Sequence, residues 1–247
     1  MKNNNLKSMS ANKKILLTFY SISFLLFLYY TFSNFSLSQI ITLEFAPILK
    51  ENIFKITNHN NIIIFLGLIV LAFLWSFFLG FTSPIAVFCG MIYGNYLGTL
   101  ISIIGLTLGS TFLYIVARYF FSDYLSILFS KKYENTRNRF HNNELIFFIL
   151  YRILISIPFG ISNIVAVTFN VKLSNFILGT GIGIFPSVFI WATIGLGFDR
   201  LVIKENEFPN YIMILTSPET KLPLLGFLIF FILLLVIRIF FNYKYKK

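Results

Sequence analysis

Apolar segments separated by short polar and basic loops make up most of this 247-residue chain. Crossing a bilayer as a helix takes about 17–25 residues. Five apolar segments have that length, namely 15–32, 62–81, 97–119, 176–197 and 222–241. A sixth, 145–157, has 13 residues and is too short, which favours a buried or re-entrant segment. The pattern predicts an all-α polytopic membrane protein, with 15–32 interpreted as a retained helix and a cleaved signal peptide as the alternative.

Glycines and a proline interrupt the apolar stretch over 83–120. They are Pro84, Gly90, Gly94, Gly98, Gly105 and Gly109. Broken backbone at membrane depth is tolerated only where it is buried in protein or lines a wet cavity. The stretch therefore indicates a transport-type membrane protein rather than a simple anchor. Gly90, Gly94 and Gly98 recur at four-residue spacing, which favours close helix packing over backbone contact with a substrate.

Two parts of the chain repeat at an offset of 74 residues. Pro84 corresponds to Pro158, and Gly105 and Gly109 correspond to Gly179 and Gly183. Each copy reads as a re-entrant helical hairpin, 62–95 or 145–172, followed by a transmembrane helix. Pro186, within the second of these helices, predicts a kink.

Charge predicts how these units face the two sides of the membrane. Basic segments favour the cytoplasm, which places both termini and the 122–143 loop there and the loops 33–61 and 198–221 outside. The two units then have opposite orientations, as in the inverted repeats of many transporters. A full crossing by 62–81 would break this arrangement.

Composition supports a membrane location and excludes several other classes. The chain is 57% hydrophobic, and its 12% of charged residues is about half of what soluble domains carry. The net charge of +11 lies mostly at the edges of apolar segments, so it argues for membrane orientation and not for nucleic-acid binding. We find no catalytic triad, phosphate-binding glycine loop or metal-ligand spacing, and we expect no enzyme activity, metal or cofactor.

Arg152 is the strongest candidate for a functional side chain. An arginine within an apolar run costs about 2.5–3.5 kcal/mol on insertion scales, so it usually faces a cavity or a partner. Its planar guanidinium can hold a phosphate by two hydrogen bonds. The alternative is an arginine that snorkels to the membrane edge. Pro158, Phe159 and Asn163 form a break that either exposes polar groups to a ligand or satisfies itself as a hairpin tip.

The order of these motifs resembles a known family. Pro84, GMIYGNYLG at 90–98, the following glycines and the Ala-Arg pair at 117–118 are similar to the first half of the DedA / SNARE-associated Golgi protein family, or VTT domain. The sequence LYRILISIPFGISN at 150–163 and the glycine-rich helix after it resemble the second half, over 62–197 in all. The resemblance implies two oppositely facing re-entrant hairpins that move phospholipid or polyprenyl phosphate carriers. It also implies that Arg118 and Arg152 are functional.

One departure bears on the energy source. No acidic residue occurs between Glu51 and Asp123, whereas one bacterial branch of the family carries acidic residues in the first hairpin. The chain therefore lies nearer the Golgi-type branch, and coupling to protons is in doubt.

The sequence thus predicts four parts and one leading function. The parts are a basic cytoplasmic tail (1–14), an N-terminal helix with an external loop (15–61), the VTT-like domain (62–197), and an external loop with the last helix and basic tail (198–247). The leading function is a lipid transporter or scramblase in a bacterial plasma membrane, with membrane lipids as partners and a homo-oligomer left open. A small-solute or ion transporter and a non-transporting assembly protein are the alternatives.

Overall fold

The computed structural model of the chain describes residues 11–34, 45–57, 60–78, 81–129, 143–154, 159–205, 211–229 and 232. These residues are helical apart from short turns, which confirms the all-α prediction for this part of the chain. The helices are α1 (Ala11–Asn34), α2 (Phe45–Ile56), α3 (Asn61–Phe77), α4 (Thr82–Phe129), α5 (Glu144–Leu154), α6 (Phe159–Thr168), α7 (Leu173–Glu205) and α8 (Tyr211–Thr216). Residues 218–229 are also helical.

Helix α3 and the first part of α4 form an antiparallel pair. The side chain of Asn60 caps α3 by accepting hydrogen bonds from the N–H groups of Ile62 and Ile63. After Phe77 the chain reverses, and 82–93 run back until the Tyr93 hydroxyl donates to the Asn61 carbonyl at 2.7 Å. At 17 residues, α3 is about 25 Å long.

The chain reverses a second time at Gly94, inside α4. Its φ of 76° is open to glycine and strained for other residues. A methyl group at Gly98 would lie 2.7 Å from the carbonyl of Cys89, although a straight helix would hold these residues about 13 Å apart. Residues 95–129 therefore start a new helical segment, which runs parallel to α3. We call 61–129 the first unit.

Helices α5, α6 and α7 form a second unit, over 144–205, with the same path. After α6 the chain turns at Asn170, where φ is 50°. The backbone N–H of Lys172 donates to the Glu144 carboxylate at 2.6 Å, which joins the start of α7 to the start of α5. Helix α7 then runs parallel to α5. Pro158 lies outside the described residues, so its correspondence with Pro84 stays a prediction.

The glycines at the offset of 74 have equivalent packing roles in the two units. Gly105 lies against Ala72 of α3, and a methyl group at Gly179 would lie 2.6 Å from the Phe148 ring of α5. One turn further along, Gly109 lies against Phe73 and Ser76, and Gly183 lies against Arg152 and Ile149. In each unit the glycine pair lets the long helix approach the short helix closely.

The two units pack against each other in opposite directions. Tyr114 stacks on Phe176 with ring centroids 4.4 Å apart, whereas Tyr96 meets Phe189 further along at 6.0 Å. The second part of α4 is thus antiparallel to α7. Gly90 lies against the backbone of Ala192, so close packing holds for Gly90 and Gly98, whereas Gly94 makes the turn.

Three segments predicted as loops are partly helical. Helix α2 lies within 33–61. Its residues Leu49, Ile53 and Phe54 form an apolar face, and the packing of this face on the hydrophobic core stabilises the helix. Helix α4 continues to Phe129 and α7 to Glu205, while α8 lies within 198–221. Helix α7 also continues on both sides of Pro186.

Two helical segments, Thr82–Phe120 and Leu173–Val202, are long and apolar enough to cross a membrane by length and composition. The first is bent at Gly94, and about 26 residues remain beyond the bend, which span roughly 39 Å. Large apolar side chains of the second part of α4 point outward, including Leu100, Leu108 and Phe112. An outer surface of this kind is typical of a protein surrounded by lipid.

Candidate functional site

Arg152 lies in the interior of the second unit. It occupies the last turn of α5, eight residues and about 12 Å along the helix from Glu144. A methyl group placed at Gly183 would clash with the Cβ of Arg152. This repeat glycine therefore sets how closely the base of the arginine approaches α7.

Neutral side chains hold the Arg152 guanidinium. Its Nη1 donates to Ser162 Oγ, and its Nη2 donates to Asn163 Oδ1 and, at 3.1 Å, to Thr180 Oγ1. Asn163 and Thr180 are fully buried, and the Ser162 hydroxyl itself donates to the Phe159 carbonyl at 2.7 Å. The guanidinium thus points into the protein, between α6 and α7.

Three aromatic rings surround the same charge. The guanidinium carbon lies 5.1 Å from the ring centroid of Phe148, 5.0 Å from that of Phe159 and 5.3 Å from that of Phe176. Each cation–π contact contributes about 0.5–2 kcal/mol, more when water is excluded. None of the ion pairs among the described residues involves Arg152. Among the described residues, the neighbours of Arg152 stabilise its positive charge without neutralising it.

Hydrogen-bond donors remain unused beside this arginine. Four buried side-chain atoms in the described part of the chain have no hydrogen-bond partner: Arg152 Nε, Asn163 Nδ2, Thr107 Oγ1 and Tyr151 Oη. Each of them can donate. Two belong to the arginine and its direct partner, while Thr107 reaches from α4 towards Gly181, the neighbour of Thr180. Since an unpaired buried donor costs about 1–3 kcal/mol, the site is suited to a ligand rich in acceptor oxygens.

Arg118 lies apart from this cluster. It is exposed near the end of the apolar part of α4, and its Nη1 lies 3.4 Å from the hydroxyl of Tyr114. Tyr114 in turn donates to the Val171 carbonyl and stacks on Phe176, one of the rings around Arg152. The two arginines are therefore linked through Tyr114 and Phe176 and have no hydrogen-bond partner in common among the described contacts.

Two apolar grooves lie near the two arginines, one of about 480 Å³ near Arg118 and one of about 570 Å³ near Arg152. The groove next to α5, of about 570 Å³, is lined by Ile153, Pro186, Trp191 and Phe227, among others. Ile153 follows Arg152 directly, and Pro186 lies one turn beyond Gly183 on α7. Pro186 thus lines this groove, whereas its position in the sequence predicted only a kink.

Some members of the site were not identified from the sequence. Ser162 lies next to Asn163, and Thr180 lies between the two repeat glycines. Their positions in the sequence could therefore have identified both as candidate members of the site. The aromatic rings of Phe148 and Phe176 offered no such signal, because phenylalanine is abundant throughout the chain. A second missed feature is Lys50 of α2, which pairs with Asp199 of α7 at 2.5 Å and donates to the Met91 carbonyl at 3.2 Å. The described residues include no cluster of metal-ligating side chains.

Together, the apolar helices and the internal cationic site define an α-helical membrane protein. Residues 81–197 match the model of the VTT domain. The chain thus carries the VTT domain of the DedA / SNARE-associated Golgi protein family, which confirms the resemblance inferred from its motifs. No curated protein and no solved structure matches the chain.

Proposed function

We propose that this DedA-type protein moves a phospholipid or polyprenyl phosphate between the leaflets of a bacterial plasma membrane, as a transporter or scramblase. Arg152 holds the phosphate of the headgroup while the tails stay in an apolar environment. The observation that carries the proposal is a guanidinium that points into the protein, has neutral partners and lies beside unused buried donors.

The charge of the site favours an anion. Burying a charge costs free energy unless a partner of opposite charge or several hydrogen bonds compensate for it. Phosphate supplies both the charge and several acceptor oxygens. The Thr180 hydroxyl accepts from Arg152, and because a hydroxyl also donates, it can bind the same phosphate.

The apolar groove beside α5 favours a lipid over a small solute. Its walls are almost entirely hydrocarbon, with Ser187 as a polar exception. A headgroup at Arg152 would leave its tail within reach of Ile153 and Pro186. A small ion makes no favourable contact with an apolar surface. We therefore favour lipid transport over solute transport and over a purely structural role.

The inverted arrangement of the two units supports alternating exposure to the two leaflets. We propose that both hairpins are re-entrant, that α1 and the helix after α8 flank them as transmembrane helices, and that both termini are cytoplasmic. The lysine-rich ends and the basic 122–143 segment support this orientation. Strong labelling of a terminal cysteine from outside intact cells would overturn it. The protein acts on membrane lipids without catalysing a reaction, and neither cofactor nor nucleic acid takes part.

Substitution of Arg152 tests the proposal. Arg152→Lys keeps a charge but loses the planar arrangement that reaches Ser162, Asn163 and Thr180 together. We expect Arg152→Gln and Arg152→Lys to lower transfer roughly ten- to a hundredfold, which corresponds to about 1.5–3 kcal/mol for hydrogen bonds to a charged group. The measurement is transfer of a labelled phospholipid and of a labelled polyprenyl phosphate in liposomes, with variants matched for thermal stability.

Arg200, an exposed arginine on α7, provides the matched control. Arg200→Lys and Arg200→Gln should transfer lipid at the wild-type rate. Full activity of Arg152→Lys would reduce Arg152 to a structural cation and remove the phosphate site. Movement of small anions without movement of either lipid would favour the solute transporter instead.

A further inference from the structure

Arg118 borders a cavity of its own, at a distance from the Arg152 cluster. Arg118 borders a cavity of about 250 Å³ together with Tyr114, Ile115, Tyr119 and Leu173. The cavity joins the second part of α4 to the first residues of α7. Its walls combine a cation and two tyrosines with aliphatic side chains, a mixture suited to an anionic headgroup at the edge of the apolar layer.

An apolar groove of about 480 Å³ borders this cavity on the side of α1. It lies between Tyr20 and Ser23 of α1, Phe77 at the end of α3, and Val116 of α4. Ile115 and Tyr119 line both the groove and the Arg118 cavity. A cationic cavity and a hydrocarbon groove therefore share a wall, and one amphiphilic molecule can fill both.

Helix α1 builds the outer side of this groove through aromatic contacts. Tyr20 donates its hydroxyl to the Phe77 carbonyl at 3.0 Å, so the polar atom of this wall is satisfied and the rest of the wall is apolar. Phe27 stacks on Phe78 with ring centroids 5.0 Å apart, which holds α1 at the end of α3. The groove thus depends on the docking of α1, a helix that lies outside residues 81–197, over which the VTT domain is recognised.

We propose that Arg118 and the groove between α1 and α4 bind an anionic phospholipid, with the phosphate on Arg118 and an acyl chain along Val116 and Tyr20. The proposal rests on the membrane location given under the proposed function. The charge of Arg118 favours an anion, and the apolar groove that shares a wall with its cavity favours a hydrocarbon chain attached to that anion. This position differs from the Arg152 site because Arg118 borders a cavity between α4 and α7, whereas the Arg152 guanidinium points between α6 and α7.

The test counts lipids retained by the purified full-length protein. Native mass spectrometry with phosphatidylglycerol measures occupancy for wild type, Arg118→Gln, Val116→Trp and the double variant. Arg118→Gln removes the cation, and Val116→Trp fills the groove. The wild type should bind two lipids, one at each arginine site. We expect Arg118→Gln and Val116→Trp each to weaken the binding of the lipid at Arg118 roughly tenfold or more. The double variant should not weaken the binding of the other lipid. Ser23→Trp fills the groove from α1 and serves if Val116→Trp does not fold.

Leu108→Trp is the control, because Leu108 is exposed on α4 and lies outside the groove. It should retain both lipids. Loss of a lipid in Arg118→Gln but in neither tryptophan variant would indicate a simple anion site and overturn the proposal. Equal competition by inorganic phosphate and by phosphatidylglycerol would do the same.

The Arg152→Gln variant separates this inference from the proposed function. If Arg152→Gln loses a binding step and the Arg118 and groove variants do not, the second site is wrong and the proposed function stands. If the Arg118 and groove variants lose a step and Arg152→Gln does not, the second site stands and the proposed substrate site at Arg152 is wrong.

Discussion

In the first unit, Ser76 of α3 lies against Gly109, the second repeat glycine of α4. In the second unit, Arg152 of α5 lies against Gly183, the corresponding glycine of α7. The Ser76 hydroxyl donates to the Leu106 carbonyl at 3.0 Å and is fully buried. Arg152 binds three neutral side chains and still leaves its Nε without a partner.

This difference separates what builds the fold from what binds a ligand. The glycines repeat because both units need a close approach between a short and a long helix. The polar residues that surround Arg152 do not repeat at the equivalent positions of the first unit, whose interior there is largely apolar. We infer that the repeat specifies the scaffold and that departures from it mark the site.

The largest effects are expected from substitutions of the repeat glycines. Gly109→Ala places a methyl group against the Phe73 carbonyl, and Gly183→Ala places one against Arg152 Cβ. Overpacking of this kind costs about 1–3 kcal/mol, or a fall in melting temperature of about 2–4 °C per kcal/mol. Both variants should lose stability, and Gly183→Ala should also lose lipid transfer per folded molecule because it displaces Arg152. Thermal unfolding and liposome transfer measure the two effects.

Gly67 of α3 provides the control, since no atom lies within 4 Å of a methyl group placed there. Gly67→Ala should be neutral, or more stable by about 0.5–1 kcal/mol. Equal stability of the Gly67 and Gly109 variants would show that the glycine pairs do not set the helix spacing.

An effect on stability alone, without loss of lipid transfer, should distinguish the contacts that close the two units. Glu144, which is 5% exposed, accepts from the Lys172 N–H at 2.6 Å and from Asn175 Nδ2 at 2.9 Å. Tyr93 makes a single neutral hydrogen bond to an exposed carbonyl. Glu144→Ala should cost about 1.5–3 kcal/mol and Tyr93→Phe about 0.5–1.5 kcal/mol. Thermal unfolding of both variants checks the order, and a larger loss in Tyr93→Phe would contradict it.

Sequence alone predicted the scaffold better than the site. The repeat glycines and the short fifth helix follow from spacing, and the expectation that Arg152 faces the protein interior follows from the cost of charge in an apolar segment. Helix α2 was missed because its apolar face is short and interrupted by charge. The aromatic rings were missed because their contacts depend on how α5, α6 and α7 approach one another, which no local pattern encodes. For the same reason no local pattern showed that Arg118 lies apart from the Arg152 cluster.

The smallest effect is expected at Ser76, the counterpart of Arg152. Ser76→Ala removes one hydrogen bond between neutral groups, worth about 0.5–1.5 kcal/mol. The Leu106 carbonyl that accepts it lies within α4 and keeps its place in the helical hydrogen-bond pattern, so the cost should be near the lower end. Alanine fits the cavity without a clash, and we expect lipid transfer at the wild-type rate. Transfer assays on Ser76→Ala and Arg152→Gln at matched stability complete the comparison. If Ser76→Ala lost transfer as strongly as Arg152→Gln, both units would contribute to the site, and the division between scaffold and site drawn from their difference would be wrong.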